Sequence, residues 1–254
     1  MTWVVSSAAV QHIRDSDTTG KIVPLAFANA STYLLLGAKQ HVPAGMSKAV
    51  PARSFTSYNQ LASALQGSDV SPDIKAVLYD NESWILTPSE EQRDPARYDA
   101  LAAQAAHNRN LRFMAAPAMD LVTVLGTQPG EKHSDAYLRL GLARMAAANA
   151  DVVDIQAQSL ENSLADYTHF VQMAASQAHV ARPNVTVVAG LSTNPRGVAV
   201  SPGQLLADVN ATRTFVQGYW LNVPAASAAC PDCGSPRGDV AAAFLALLLG
   251  TGSR

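Results

Sequence analysis

The stretch from Lys75 to Trp84, KAVLYDNESW, has the pattern of a buried strand that runs directly into two carboxylates. Because alternate side chains of a strand face the same side, Leu78, Asp80 and Glu82 share one face. The two acids are spaced about 6 to 7 Å apart along such a strand. They stand at its carboxyl end, where open α/β sheets and barrels carry their active sites. We therefore predict a functional role for at least one of them, although strand ends also carry acids for purely structural reasons.

The rest of the chain decides what kind of sheet this strand belongs to. From Ser57 onward, each strand-like run is followed by a helix that has a start signal. Asp94-Pro95 and Ser201-Pro202, for example, each place a capping residue before a proline, which is typical of a first helical turn. The predicted segments are helix 58–66, strand 76–81, helix 95–108, strand 111–116, helix 134–148, strand 152–157, helix 164–181, strand 185–190, helix 202–212, strand 218–223 and helix 239–249.

Five strand–helix units in series indicate a parallel sheet with helices outside it. Counted back from a closing eighth unit, 218–223 is strand eight and 76–81 is strand four. The candidates for the first three strands are Trp3 to Ser6, Tyr33 to Gly37 and Val50 to Phe55. The 254 residues also match the size of a (β/α)8 barrel. We predict such a barrel as a single domain over 1–254, with a doubly wound open parallel sheet as the alternative.

Composition and charge exclude two classes of partner. The net charge is −2 and no basic run occurs, so we expect no nucleic acid partner. The longest apolar run, 240–249, is too short to cross a bilayer, and we expect no membrane partner.

The two cysteines, Cys230 and Cys233, lie in a loop that is rich in proline, glycine and serine. We predict a local disulfide, with free thiols or a metal site as the alternatives. A disulfide favours a location outside the cytoplasm. The N-terminal stretch lacks the features of a signal peptide, so the protein is either cytoplasmic or begins after a removed signal. We expect an extracellular or secreted protein, with a cytoplasmic one as the alternative.

Strand parity brings further polar residues to the same end of the barrel. Asp154, Gln156 and Gln158 share the face of strand six that points to the barrel axis. Such groups are costly to bury unless they are hydrogen-bonded or functional, and a buried structural network is the alternative. Trp220 and Asn222 share a face of strand eight, where an indole offers a flat platform for a sugar ring or acts simply as a core plug.

Two more strand ends complete the candidate site. Arg53 follows strand three, where it would pair with an acid or hold an anionic group of a substrate. Asp120 follows strand five. Ser192 and Thr193 follow strand seven, and we interpret them as loop residues rather than nucleophiles.

Several chemistries are disfavoured because their motifs are missing. The sequence contains no GxGxxG, GxxxxGK[ST] or GxSxG, and its six histidines fall on helices or loops rather than strand ends. We therefore expect no cofactor, no bound metal and no Ser-His-Asp triad. Carboxylates, amides and an aromatic remain, and carbohydrate hydrolysis uses that set of side chains.

These positions resemble the family 18 glycoside hydrolases, which include chitinases and endoglycosidases. In that family strand four carries DxxDxDxE, so the resemblance implies that Glu82 is the general acid. Asp80 would then position the N-acetyl group of the substrate, which acts as the nucleophile. Lys75 and Leu78 stand at the two earlier acidic positions, and 156–158 reads QAQ where the family has MxYD on strand six.

Three functions are consistent with this pattern. The leading hypothesis is a glycoside hydrolase-like enzyme that acts on a carbohydrate or another small polar substrate. The second is a carbohydrate-binding barrel without catalysis. The third is a different barrel enzyme, a lyase or isomerase that uses Glu82 or Asp120 as a base, in which Asp80, Glu82 and Asp120 could gather a hard cation.

Overall fold

The computed structural model describes residues 1–67, 69–228 and 230–251. Eight parallel strands follow one another around a closed barrel, and the first strand pairs with the last. They are β1 (Thr2–Ser6), β2 (Thr32–Leu35), β3 (Val50–Phe55), β4 (Ala76–Tyr79), β5 (Arg112–Ala115), β6 (Val152–Ile155), β7 (Thr186–Ser192) and β8 (Gly218–Asn222). The predicted (β/α)8 barrel is confirmed, and the alternative of an open sheet is wrong.

Closure of the barrel depends on one glycine. Thr2 of β1 stands opposite Gly218 of β8 in the register of the two strands. A Cβ atom at Gly218 would lie 1.9 Å from the carbonyl oxygen of Thr2. Only a residue without a side chain lets the two edges meet here.

The helices surround the barrel in chain order. They are α1 (Ser7–Ser16), α2 (Ile22–Phe27), α3 (Tyr58–Gln66), α4 (Ser89–Arg93), α5 (Pro95–His107), α6 (Val122–Leu125), α7 (His133–Leu140), α8 (Leu142–Ala147), α9 (Leu164–Ala181), α10 (Pro202–Thr212) and α11 (Gly238–Leu249). Short 3-10 turns cover Met119–Leu121, Pro195–Gly197 and Pro231–Cys233. No helix in the described ranges is both long and apolar enough to span a bilayer.

Capping side chains start the helices that the sequence marked. Ser57 accepts a hydrogen bond from the Gln60 amide, and Ser201 forms a reciprocal capping box with Gln204. Each such bond satisfies an amide that has no partner inside its helix. The caps therefore fix where each helix leaves the loop that follows a strand.

The single helix predicted over 134–148 is wrong, because the chain breaks at Gly141. This glycine has φ 70° and separates α7 from α8. This left-handed conformation ends α7 before α8 begins, and glycine adopts it at little cost.

Two apolar layers hold the fold. The barrel interior is filled mainly by apolar side chains, including Val4, Leu35, Leu78 and Met114. A larger layer lies between strands and helices, where Trp3 of β1 packs edge-on against aromatic rings of α2 and α11. Because the interior is filled, a ligand has access only at the ends of the strands.

Candidate functional site

A cavity of about 700 Å³ opens at the carboxyl ends of the strands. Seven of the nine residues that the sequence indicated line it: Asp80, Glu82, Asp120, Gln156, Gln158, Trp220 and Asn222. The other two, Arg53 and Asp154, do not.

Asp80 is held in place by strand six. Gln156 Nε2 donates a hydrogen bond of 2.7 Å to Asp80 Oδ1 and another of 2.9 Å to the Ala116 carbonyl oxygen. The amide therefore spans from β6 across β5 to the end of β4. This bond orients one oxygen of Asp80, which lines the cavity beside Glu82.

The surroundings of Asp80 and Glu82 favour protonated carboxyls. Burial, with the charge of Asp154 added, raises the pKa of Asp80 to about 7. Burial and the negative charges of Asp80 and Asp120 raise the pKa of Glu82 to about 9. The pair therefore favours a shared proton at neutral pH, and the larger upward shift at Glu82 makes it the group that we expect to hold that proton.

Asp120 faces this pair from the end of β5. Its Oδ1 accepts a hydrogen bond of 2.9 Å from the backbone amide of Ser83. The Ser83 hydroxyl lies 3.0 Å from that of Thr123, which donates in turn to the carbonyl oxygen of Asp120. The loops after β4 and β5 are thus joined at the carboxylates.

A second buried acid supports the carboxylate strand from behind. Glu91 of α4 is 0% exposed and accepts hydrogen bonds from the Tyr79 hydroxyl at 2.6 Å and from the Tyr58 amide at 2.7 Å. The side-chain amide of Asn81 donates to the carbonyl oxygen of Glu91. These contacts fix the residues on both sides of Asp80.

Asp154 lies inside the barrel, below the cavity. It is 2% exposed, and neither carboxylate oxygen has a hydrogen-bond partner among the described residues. It faces the axis as strand parity predicts, but it stands two residues before Gln156 and therefore one layer deeper. Burial raises the pKa of Asp154 well above its ordinary value.

Arg53 lies on the outer face of the barrel. Its neighbour Ala52 belongs to the interior, so Arg53 points toward the helices. There its guanidinium donates to the Asp69 carbonyl oxygen at 2.8 Å and lies over the ring of Phe55. The structure therefore keeps the charge of Arg53 away from the cavity.

A polar wall of β6 and β7 faces the carboxylates. A Cβ atom at Gly190 would lie 2.3 Å from the side-chain amide of Gln158, so the glycine leaves the room in which this amide lies. Gln158 Oε1 and the Ser192 hydroxyl are both buried without a partner among the described residues. Both residues line the cavity, and Ser192 is the last residue of β7 rather than the loop residue that the sequence indicated.

Two tryptophans line the same cavity. Trp220 of β8 is half-buried and packs on the apolar interior. Trp84, which the sequence did not single out, is oriented by a hydrogen bond of 2.7 Å from its Nε1 to the Thr87 hydroxyl. Trp84 belongs to a loop, where no periodic pattern marks which side chains face the site.

The rim opposite the carboxylates is closed by the predicted Cys230–Cys233 disulfide, which the structure confirms. Asn194 is 3% exposed and donates to the Cys233 carbonyl oxygen at 2.7 Å. Beside it, Arg196 lines the cavity in a left-handed conformation with φ 48°. The loop after β7 is thereby tied to the loop after β8.

The donor set does not form an evident metal centre in the cavity. Within 1–67, 69–228 and 230–251, no group of three or more His, Cys, Asp and Glu side chains is placed to hold a metal ion. Asp80, Glu82 and Asp120, which could gather a cation under the lyase or isomerase hypothesis, do not form such a group in the part of the chain that the structure describes.

Comparison with known proteins supports the fold alone. No family model and no curated protein matches the chain. Among solved structures, it is similar to Rhizobium etli pyruvate carboxylase with the allosteric activator acetyl coenzyme A, at a TM-score of 0.50 and 11% identity over 96% of this chain and 26% of that chain. The carboxyl transferase domain of the same enzyme with pyruvate gives a TM-score of 0.46 and 11% identity over 96% of this chain and 46% of that chain. The chain thus spans about a quarter to a half of the length of these structures.

Proposed function

We propose that this chain is an acid–base enzyme in which Glu82 donates a proton to an oxygen atom of a polar substrate. One observation carries the proposal: Glu82 is a carboxyl group with a raised pKa on the wall of an open cavity, beside a second carboxyl. A general acid must hold its proton at the working pH and lie within reach of the substrate.

A carbohydrate is the substrate class that the cavity suits best. Trp220 and Trp84 offer apolar surface to a sugar ring, and Gln158 and Asn222 offer amides to its hydroxyl or acetamido groups. This combination of flat apolar faces and neutral hydrogen-bonding groups favours a ligand that is apolar on its faces and polar at its edge.

For a glycosidic bond, the chemistry would run as follows. Glu82 gives its proton to the bridging oxygen while the bond from that oxygen to the anomeric carbon breaks, and the leaving sugar departs as an alcohol. Asp80, once ionised, stabilises the positive charge that develops on the anomeric carbon. Water then supplies the hydroxyl group, and its remaining proton returns to Glu82.

A lyase or isomerase is the second candidate. Asp120 lines the cavity with one oxygen anchored by the Ser83 amide, a geometry that suits a proton acceptor. The similar barrel of pyruvate carboxylase belongs to an enzyme that is not a glycosidase, which supports this candidate at the level of the fold. Activity that depends on Asp120 but not on Glu82, without cleavage of any glycan, would favour it.

The disulfide supports a place of action outside the cytoplasm. Such bonds persist in oxidising compartments and are rare in the cytosol. An extracellular glycan is compatible with that location.

The test compares hydrolysis of N-acetylated and plain oligosaccharides by wild type, Glu82→Gln and Glu90→Gln. Glu90 is an exposed acid of α4 and serves as the matched control. Glu82→Gln keeps the shape but cannot deliver a proton, so kcat should fall roughly 10²- to 10⁴-fold with little change in KM.

Three outcomes decide between the hypotheses. A large loss in Glu82→Gln alone supports the proposal. Equal activity of Glu82→Gln and wild type excludes Glu82 as the acid. Binding of oligosaccharides without cleavage by wild type favours a carbohydrate-binding barrel.

A further inference from the structure

A second pocket lies behind the polar wall of the cavity. Its volume is about 400 Å³, and it lies between the loop after β6 and the start of α10. The residues that line it include Glu161, Asn162, Ser201, Gln204 and Asp208.

Asp208 is the unusual group in this pocket. Its side chain is 1% exposed, and neither carboxylate oxygen has a hydrogen-bond partner among the described residues. A buried carboxylate without a partner is costly, and such a group requires an explanation in a native protein.

Glu161 adds a second carboxylate to the same pocket. It is 2% exposed, and its two oxygens accept hydrogen bonds of 2.7 Å from the backbone amides of Ser159 and Ser192. Its negative charge acts on Asp208, and no Lys or Arg of the described residues forms an ion pair with either acid. Each carboxylate oxygen has a second lone pair, so Glu161 remains able to ligate.

We infer that this pocket binds one hard divalent cation, of the Ca²⁺ or Mg²⁺ class, between Asp208 and Glu161. Two carboxylates with neutral oxygens and water are a sufficient donor set for such ions. Asn162, whose side-chain oxygen accepts from Gln204 Nε2 at 2.8 Å, would contribute a neutral oxygen at the rim. The cation would neutralise two like charges that no other described residue of the pocket neutralises.

A cation bound at Glu161 would also affect the wall of the main cavity. Glu161 holds the amides of Ser159 and Ser192, and both residues line that cavity. A cation on Glu161 would therefore stabilise the wall that carries the Ser192 hydroxyl.

The test is calorimetric titration of chelator-treated protein with CaCl₂ and with MgCl₂ at pH 8, beside thermal melts. Wild type and Asp208→Asn are compared, with Asp135→Asn as a control that removes an exposed acid of α7. We expect one site in wild type and in the control, and at least a tenfold loss of affinity in Asp208→Asn. Saturation should raise the melting temperature of wild type by about 5 °C or more and leave that of the variant unchanged.

Without added cation, Asp208→Asn should melt at or above the temperature of wild type, because it removes the repulsion from Glu161. This melt also shows that the variant is folded. If wild type binds neither cation with a Kd of about 1 mM or tighter, which is the weak end of protein calcium sites, the inference is overturned. Equal affinity of wild type and Asp208→Asn would overturn it as well. The carboxyls of Asp208 and Glu161 would then be neutralised by protons and not by a cation.

Discussion

Glu82→Gln is expected to stabilise the protein near neutral pH while it removes the acid. In wild type, burial and neighbouring charges raise the pKa of Glu82 from its ordinary value of 4.5 to about 9. Between these values the unfolded chain carries an ionised Glu82 and the folded protein a protonated one. Folding then takes up a proton, so the stability of wild type is highest at low pH and falls as pH rises through this window.

The size of the effect follows from the width of the window. Each pH unit above 4.5 costs about 1.4 kcal/mol, which gives at most about 3.4 kcal/mol at pH 7. Partial exposure of Glu82 and the charge it shares with Asp80 reduce this to about 1–3 kcal/mol. The glutamine side chain of the variant does not titrate, so Glu82→Gln should melt about 2–12 °C higher than wild type at pH 7.

Thermal melts at pH 5, 6, 7 and 8 provide the assay, with Glu90→Gln as an exposed control. The difference between Glu82→Gln and wild type should be small at pH 5 and grow with pH, whereas the control should follow wild type throughout. A variant that is no more stable than wild type at pH 7, or a difference independent of pH, would refute the reasoning.

Three further predictions concern neighbouring features. Asp80→Asn removes a negative charge beside Glu82 and lowers the pKa of Glu82, so the alkaline limb of the kcat/KM profile should move to lower pH. An unmoved limb would show that the charge of Asp80 does not raise the pKa of Glu82. Tyr79→Phe removes the buried hydrogen bond to Glu91 and should cost roughly 1.5–3 kcal/mol in urea denaturation, and a loss within error would contradict that bond. The rim disulfide should make the unreduced protein about two mass units lighter than the reduced one, and two alkylated thiols in fresh protein would contradict it.

The barrel could be predicted because its signals are local and repeated. Ser57, Asp94 and Ser201 mark helix starts, and the strand-like runs between them have the length and apolar character of parallel strands. The first two helices were missed for identifiable reasons. α1 is largely polar, and α2 is short and contains Pro24, which weakens a helical pattern.

Placement at the site was predictable only in part. Strand parity gives the face of a side chain but not its height along the barrel, so Asp154 faces the axis and yet lies below the cavity. A prediction from strand parity also depends on which residue of the strand is taken as interior. In β3 the interior position is filled by Ala52, so Arg53 points outward. Trp84 and Arg196 belong to loops whose course is set by distant contacts, so no spacing in the sequence indicates them.

The protonation state of Glu82 is the most direct test of the account, and it can be measured without a substrate. Carbon-13 NMR of protein labelled at glutamate carboxyl groups follows each titration, and comparison with Glu82→Gln assigns the signal. We predict that the Glu82 signal remains that of a protonated carboxyl at pH 7 and titrates well above it. A signal that titrates near 4.5, the ordinary value of a glutamate, would contradict the claim that Glu82 is a general acid.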